Sequence, residues 1–147
     1  LPALPPGILD EAPTPPPPST RLEVRARVLV IDDEQPVADI LRRLLADDFD
    51  VEVATSAPQA LELVLGRADF DVLLCDLLMP GMSGVDLYRE IAALRPGVEQ
   101  RIIFMTGGAF TLRSAEFLAS VPNERLEKPL DLVALRRAVR RAAERPR

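Results

Sequence analysis

A chain of 147 residues, 48% apolar and 28% charged, has material for one domain with a buried core and an extension beside it. One cysteine excludes an internal disulfide, and the lack of histidine excludes a conventional zinc site. No apolar run approaches the roughly 20 residues of a membrane span and no signal peptide opens the chain, so a reducing, cytoplasmic setting without membrane contact is expected.

The net charge of −5 argues against nucleic acid as a direct partner. The charge is uneven: beyond residue 130, six arginines face only Asp131 and Glu144. This basic end suits a solvated helix face complementing the helix dipole, or a surface for an acidic partner. Residues 1–25 hold more than half of the fifteen prolines, with Pro15 to Pro18 in a row. Such a stretch makes neither helix nor ladder and tends to polyproline II. It reads as a semi-rigid linker; service as a ligand for a proline-recognition domain is the rarer use. A linker here raises the expectation of another domain upstream.

The pattern predicts a β-branched strand over 27–31, running into Asp32-Asp33-Glu34. Pro36 then fits the first turn of a helix, whose apolar positions Val37, Ile40, Leu41, Leu44 and Leu45 keep helical spacing to about residue 47. A second strand follows over 49–54. Ser56 caps a helix carrying Ala57, Ala60, Leu61 and Val64, which stops at Gly66. Val72-Leu73-Leu74-Cys75 reads as a strand buried on both faces, spanning 71–76 and ending on Asp76. A loop rich in turn residues follows, and Ser83 or Gly84 opens a third helix closed by Pro96-Gly97. The fourth strand is predicted over 101–105, ending in Thr106-Gly107-Gly108, and a shorter helix over 110–120. A brief strand over 125–127 runs into Lys128-Pro129, and the last helix covers 130–144.

Five strands alternating with five helices through short connections require parallel strands and right-handed crossovers. The natural sheet order is the doubly wound 2-1-3-4-5, an α/β fold whose switch point lies between strands one and three. Those strands end in Asp32-Asp33 and in Asp76. Strand four adds Thr106 and strand five Lys128 at the same edge. Three crowded carboxylates repel one another, and a hard divalent cation relieves that repulsion. An oxygen-only set points to Mg²⁺, with Mn²⁺ as substitute. A carboxylate beside a cation, an ammonium and a hydroxyl suits phosphoryl transfer, with Asp76 as nucleophile. Taken singly, each residue has an ordinary use: the acidic run as a helix cap, Asp76 and Thr106 as turn residues, Lys128 as a surface lysine. Cys75 reads as a small buried hydrophobe.

Val28-Leu29-Val30-Ile31-Asp32-Asp33-Glu34, Leu74-Cys75-Asp76-Leu77-Leu78-Met79-Pro80-Gly81-Met82-Ser83-Gly84, Met105-Thr106-Gly107 and Leu126-Glu127-Lys128-Pro129 resemble the receiver domain of two-component response regulators. The likeness runs from about residue 26 to 144, so the chain divides into a linker over 1–25 and a receiver over 26–147. It implies a flavodoxin-like (βα)5 fold. It implies that Asp76 accepts a phosphoryl group from a histidine kinase or a histidine phosphotransfer protein, the domain catalysing only its own phosphorylation and dephosphorylation. It further implies that Asp33, Asp76 and the main-chain carbonyl of Leu78 bind Mg²⁺, that Asp32 acts through water, that Thr106 and Lys128 contact the phosphoryl group, and that the bond before Pro129 is cis. Phosphorylation is then expected to shift the domain between inactive and active conformations read by a downstream protein.

Two departures stand out. Arg125 occupies the position, three before the lysine, where the family usually carries an aromatic switch residue. Leu78 and Gly108 stand where the family tunes phosphate lifetime, and neither can orient an attacking water, so slow autodephosphorylation is expected. No helix-turn-helix or catalytic output domain is expected after the last helix, and the loops over 107–111 and 121–129 are similar to receivers of hybrid sensor histidine kinases. A C-terminal receiver of such a kinase is therefore the leading expectation, and a stand-alone response regulator the alternative. A phosphatase working through an aspartyl-phosphate would want a second aspartate at position 78, where Leu78 stands. A flavin-binding protein would want a first loop rich in Ser, Thr and Gly rather than Asp32-Asp33-Glu34.

Overall fold

The computed structural model describes residues 25–66, 69–107 and 111–145. The predicted linker over 1–25 therefore lies outside the described residues, except for Arg25. The elements are β1 (Arg27–Ile31), α1 (Gln35–Leu45), β2 (Asp50–Ala54), α2 (Ala57–Leu65), β3 (Val72–Asp76), α3 (Gly84–Leu94), β4 (Ile102–Thr106), α4 (Leu112–Ser120), β5 (Arg125–Glu127) and α5 (Leu132–Ala143). All strand pairs are parallel and the sheet order is β2-β1-β3-β4-β5, the predicted 2-1-3-4-5. Among the described residues no helix is long and apolar enough to cross a membrane.

The core splits by strand alternation, because successive strand residues face opposite sides of the sheet. Leu29, Ile31, Leu73, Cys75 and Phe104 pack with α2, α3 and α4 on one side. Val28, Val30, Leu74, Ile103 and Met105 pack with α1 and α5 on the other. The central strands β3 and β4 are buried at every position, as continuous apolar runs require. The edge strand β2 instead alternates, with Asp50 and Glu52 exposed.

Helix starts follow local chemistry. Ser56 accepts the Gln59 N–H, Thr111 the Ser114 N–H and Asp131 the Val133 N–H. Ser83 and Asp86 form a reciprocal capping box that begins α3 at Gly84. The predicted fourth helix begins at Leu112 rather than 110, where the Thr111 cap stands; Phe110 lies outside the described residues. The last helix begins at Leu132, two residues later than its apolar pattern, for the same reason. Arg101 belongs to a 3₁₀ turn, Val98–Arg101, and not to β4. Gly97 at φ 101° reverses the chain there, and the Asn123 side-chain amide donates to the carbonyls of Glu99 and Ile102, tying that turn to the segment that leads into β5. The acidic run does not cap α1 with a side chain: Glu34 is the N-cap residue, and its N–H donates instead to Asp32 Oδ1 at 2.9 Å.

Register brings the chemistry together. Ile31 lies opposite Cys75, so Asp32 and Asp76 leave adjacent strands at the same level. Asp76 pairs with Met105, and Thr106 with Glu127, which carries Thr106 and Lys128 to the same edge. The loop after β3 folds back tightly, with the Gly84 N–H donating to the Leu77 carbonyl at 2.9 Å. A Cβ at Gly84 would stand 2.8 Å from the Asp76 carbonyl oxygen and 3.0 Å from Leu77 Cα. Backbone cannot yield as a flexible side chain can, so Gly84→Ala is expected to cost about 1–3 kcal/mol in urea unfolding.

Candidate functional site

Asp32 is fully buried and Asp76 is 8% exposed, whereas Asp33 beside them is open to solvent. Burying carboxylates demands partners. Asp32 Oδ2 accepts from Lys128 Nζ at 3.0 Å, and its Oδ1 accepts the Glu34 N–H. Asp76 Oδ1 accepts the Leu78 N–H at a long 3.4 Å, and Oδ2 lies 3.5 Å from Lys128 Nζ. Carboxylate oxygens of Asp32, Asp33 and Asp76 all lie within 4.8 Å of one another. Lys128 is thus shared between two buried acids and sits nearer Asp32 than Asp76.

The remaining predicted residues surround this cluster. Thr106 ends β4, is buried, and its carbonyl accepts the Lys128 N–H at 2.7 Å. Gly107 brings the backbone along the Lys128 stem; a Cβ there would touch Lys128 Cδ at 3.5 Å. The Lys128–Pro129 peptide is cis. Leu78 is exposed, and Gly108 lies outside the described residues. Cys75 is buried with its Sγ 3.3 Å from the Asp76 carbonyl, and burial, then the charges of Asp76 and Asp32, push its thiol far up, so it stays a protonated core group. Arg125 is exposed at the start of β5, opposite Phe104. The aromatic side chains gather elsewhere: Phe117 packs edge-on against both Tyr88 and Phe104, at centroid distances of 5.1 and 5.5 Å. Nor are the α5 arginines simply a solvated face. Arg140 reaches Asp48 at 3.4 Å, Arg141 pairs with Glu124, and Arg136 donates to the Leu44 carbonyl.

The charges do not balance. Burial raises the Asp76 carboxyl above the ordinary carboxylate value, and Asp32 raises it further, against the opposing pull of Lys128 and the Leu78 N–H. Burial pulls the Lys128 ammonium down, but its hydrogen bond to Asp32 and the charges of Asp76 and Asp32 outweigh this and leave it raised. Three oxygen donors, no nitrogen or sulfur donor, and one exposed carboxylate fit a hard cation such as Mg²⁺ that keeps waters of its own. What the sequence alone did not disclose is the primacy of the Lys128–Asp32 pair. Only packing decides which of two acids a lysine reaches first.

A raised carboxyl holds its proton more firmly folded than unfolded, so its ionisation opposes folding as pH rises through the ordinary range near 3.8. In EDTA at pH 7, Asp76→Asn should therefore raise the melting temperature by about 2–6 °C, with the gain vanishing below pH 4. Lys128 has the opposite sign: its stabilisation is complete below 10.5 and is lost as pH climbs past that value. Lys128→Ala should cost about 1–3 kcal/mol in urea unfolding at pH 7, because Asp32 stays buried without its cation.

The geometry agrees with what is known of similar chains. A family model described as the response regulator receiver domain matches residues 28–140. The hydrogenase transcriptional regulatory protein HoxA of Cupriavidus necator is 40% identical over 79 residues, which is 54% of this chain and 16% of that protein. The transcriptional regulatory protein ZraR of Escherichia coli O157:H7 is 35% identical over 116 residues, covering 78% of this chain and 26% of that one. The chain thus spans about a quarter or less of these relatives' lengths. A response regulator receiver domain protein from Clostridium thermocellum superposes with a TM-score of 0.70 at 31% identity, over 80% of this chain and 94% of that one. A parallel sheet of this order, with its acidic edge matched by the family model, leaves one conclusion: the chain belongs to the response regulator receiver domains of two-component signal transduction.

Proposed function

We infer that Asp76 is the phosphoacceptor of this receiver. The observation that carries the reading is a nearly buried carboxylate at the end of β3, crowded by Asp32 and Asp33 and faced by Lys128 at 3.5 Å. In the reaction a carboxylate oxygen of Asp76 attacks phosphorus, the phosphorus–nitrogen bond of a phosphohistidine breaks, and the departing imidazole keeps the bond's electron pair. The donor is a histidine kinase or a histidine phosphotransfer protein. Lys128 and the Thr106 hydroxyl would hold the phosphoryl oxygens, and Lys128 has an ammonium already oriented by Asp32. Asp33, Asp76 and the Leu78 carbonyl would hold Mg²⁺ or Mn²⁺, with Asp32 acting through water. When bound, that ion would neutralise charge on the phosphoryl oxygens and on the acidic cluster.

Phosphorylation adds charge at a site where the lone lysine is already shared. Drawing Lys128 and Thr106 toward the new group takes Lys128 from Asp32 and moves the loops after β3 and β4, a population shift that a downstream protein reads. Because Arg125 is exposed and no aromatic stands there, the surface readout differs from the family's buried switch side chain. The setting is cytoplasmic, without direct nucleic-acid or membrane contact by this domain. The leading reading of its context is the receiver of a hybrid histidine kinase, with a stand-alone regulator as the alternative. HoxA and ZraR are transcriptional regulatory proteins, which favours as a second reading a receiver governing transcription. The gene sequence flanking residues 1 and 147 separates these contexts.

Acetyl phosphate with Mg²⁺ should add one phosphoryl group by intact mass. The addition should be absent in EDTA and in Asp76→Asn. A folded wild-type sample that gains nothing would overturn the assignment. Leu78 offers no group to aim a water, so the aspartyl phosphate should persist for many minutes or longer. Decay within seconds, followed by intact mass after desalting, would count against this. Leu78→Asn should speed the decay several-fold.

A further inference from the structure

Leu77, the residue after Asp76, is held at both of its main-chain groups. Its N–H donates to the Met105 carbonyl at 2.9 Å, and its side chain is fully buried. Its carbonyl accepts the N–H of Gly84, the first residue of α3, also at 2.9 Å. That carbonyl belongs to the same trans peptide as the Leu78 N–H, so the two groups point in opposite directions. The Leu78 N–H donates to Asp76 Oδ1 at 3.4 Å. Gly84 and Asp76 thus grip opposite ends of one peptide unit. The grip on Asp76 has little slack, because a contact lengthened to about 3.6 Å is no longer a hydrogen bond.

We propose that Gly84 is a positioning residue for Asp76, acting through the Leu77–Leu78 peptide to hold the Leu78 N–H on the carboxylate; its effect on phosphoryl transfer rests on reading Asp76 as the phosphoacceptor. What the site uses is the missing side chain, since the glycines at positive φ are Gly81 and Gly97 and not Gly84. A Cβ at 84 would stand 2.8 Å from the Asp76 carbonyl oxygen, 3.0 Å from Leu77 Cα and 3.2 Å from the Leu77 carbonyl oxygen. All three atoms are backbone, and ordinary contact begins at 3.4 Å, so the two segments would have to part by more than half an ångström. Neither side retreats freely. The Ser83–Asp86 capping box and the buried Val85 and Leu87 seat α3, while Met105 and the core hold Leu77. The displacement therefore tilts the peptide between them by more than the Leu78 contact can lose. Asp76 Oδ1 would then keep no main-chain donor among the described residues, and its carboxylate would turn about its own torsions. An attacking group left unaimed reacts more slowly, here by about tenfold.

Amide spectra of the whole chain in EDTA read the contact without metal or phosphate. Asp76→Asn should move the Leu78 amide signal in the wild type, and much less when Gly84→Ala is also present. Exchange of the Leu78 amide with solvent should speed about tenfold in Gly84→Ala, as a local opening does. Ile91→Val, which loosens a fully buried position further along α3, should leave that exchange unchanged. A folded Gly84→Ala chain with an unchanged Leu78 amide would overturn the proposal. If Gly84→Ala does not fold, the wild type still decides: a Leu78 amide that ignores Asp76→Asn would overturn the proposal, and one that responds supports it. Acetyl phosphate with Mg²⁺ should label Gly84→Ala about tenfold more slowly than Ile91→Val or the wild type. Equal rates would overturn the positioning role. A wild type that gains no phosphoryl group, yet shows the coupled amide response, would sink the acceptor reading and leave the hold of Gly84 on Asp76 supported.

Discussion

Everything at the working edge depends on one electrostatic constraint. Three carboxylates converge within 4.8 Å, two of them are buried, and a single ammonium is within reach of both buried ones. A buried charge is tolerated only when paired or hydrogen-bonded, and here the pairing is incomplete. Asp32 takes the larger share of Lys128 and a backbone N–H. Asp76 is left with a longer contact to Lys128 and a long one to Leu78. The unmet charge falls on Asp76, and a cation held by the three carboxylates would relieve it.

The fold exists around that edge in a concrete sense. β3 and β4 are apolar at nearly every position and buried on both faces, so the chain can place Asp76 and Thr106 only where those strands stop. Loops then close the site with little slack. Gly84 sits against the Asp76 carbonyl, and Gly107 against the Lys128 stem. Such close approach packs backbone against the main chain of Asp76 and along the stem of Lys128.

The side chains around the edge suggest how a change there travels. Lys128 is hydrogen-bonded to β4 through its main chain, paired to β1 through its ammonium, and borders an apolar groove between α1 and α5 with its stem. Lys128 thus joins the acid cluster, the sheet edge and that groove. On the other side of the sheet, Tyr88, Phe104 and Phe117 form an edge-on aromatic cluster linking α3, β4 and α4. With Arg125 exposed at the start of β5, this cluster fills the core under α4 without a switch aromatic among its members.

Much of this was legible in the residues themselves. Period-two and all-apolar runs gave the strands, period 3.6 the helices, and Ser56 the cap of α2, because each depends on neighbours a few positions away. The alternation of elements made the doubly wound order 2-1-3-4-5 the natural one, and that order brings Asp32, Asp33, Asp76, Thr106 and Lys128 to one edge. Tertiary structure decided the rest. Helix starts at Leu112 and Leu132 followed caps, not apolar pattern, and Arg101 went to a turn held by distant Asn123. The α5 arginines found partners on α1, in the loop after it and just before β5, which no local pattern encodes. Above all, Lys128 chose Asp32 over Asp76, since a long side chain's partner is set by distances between strand ends that only packing defines.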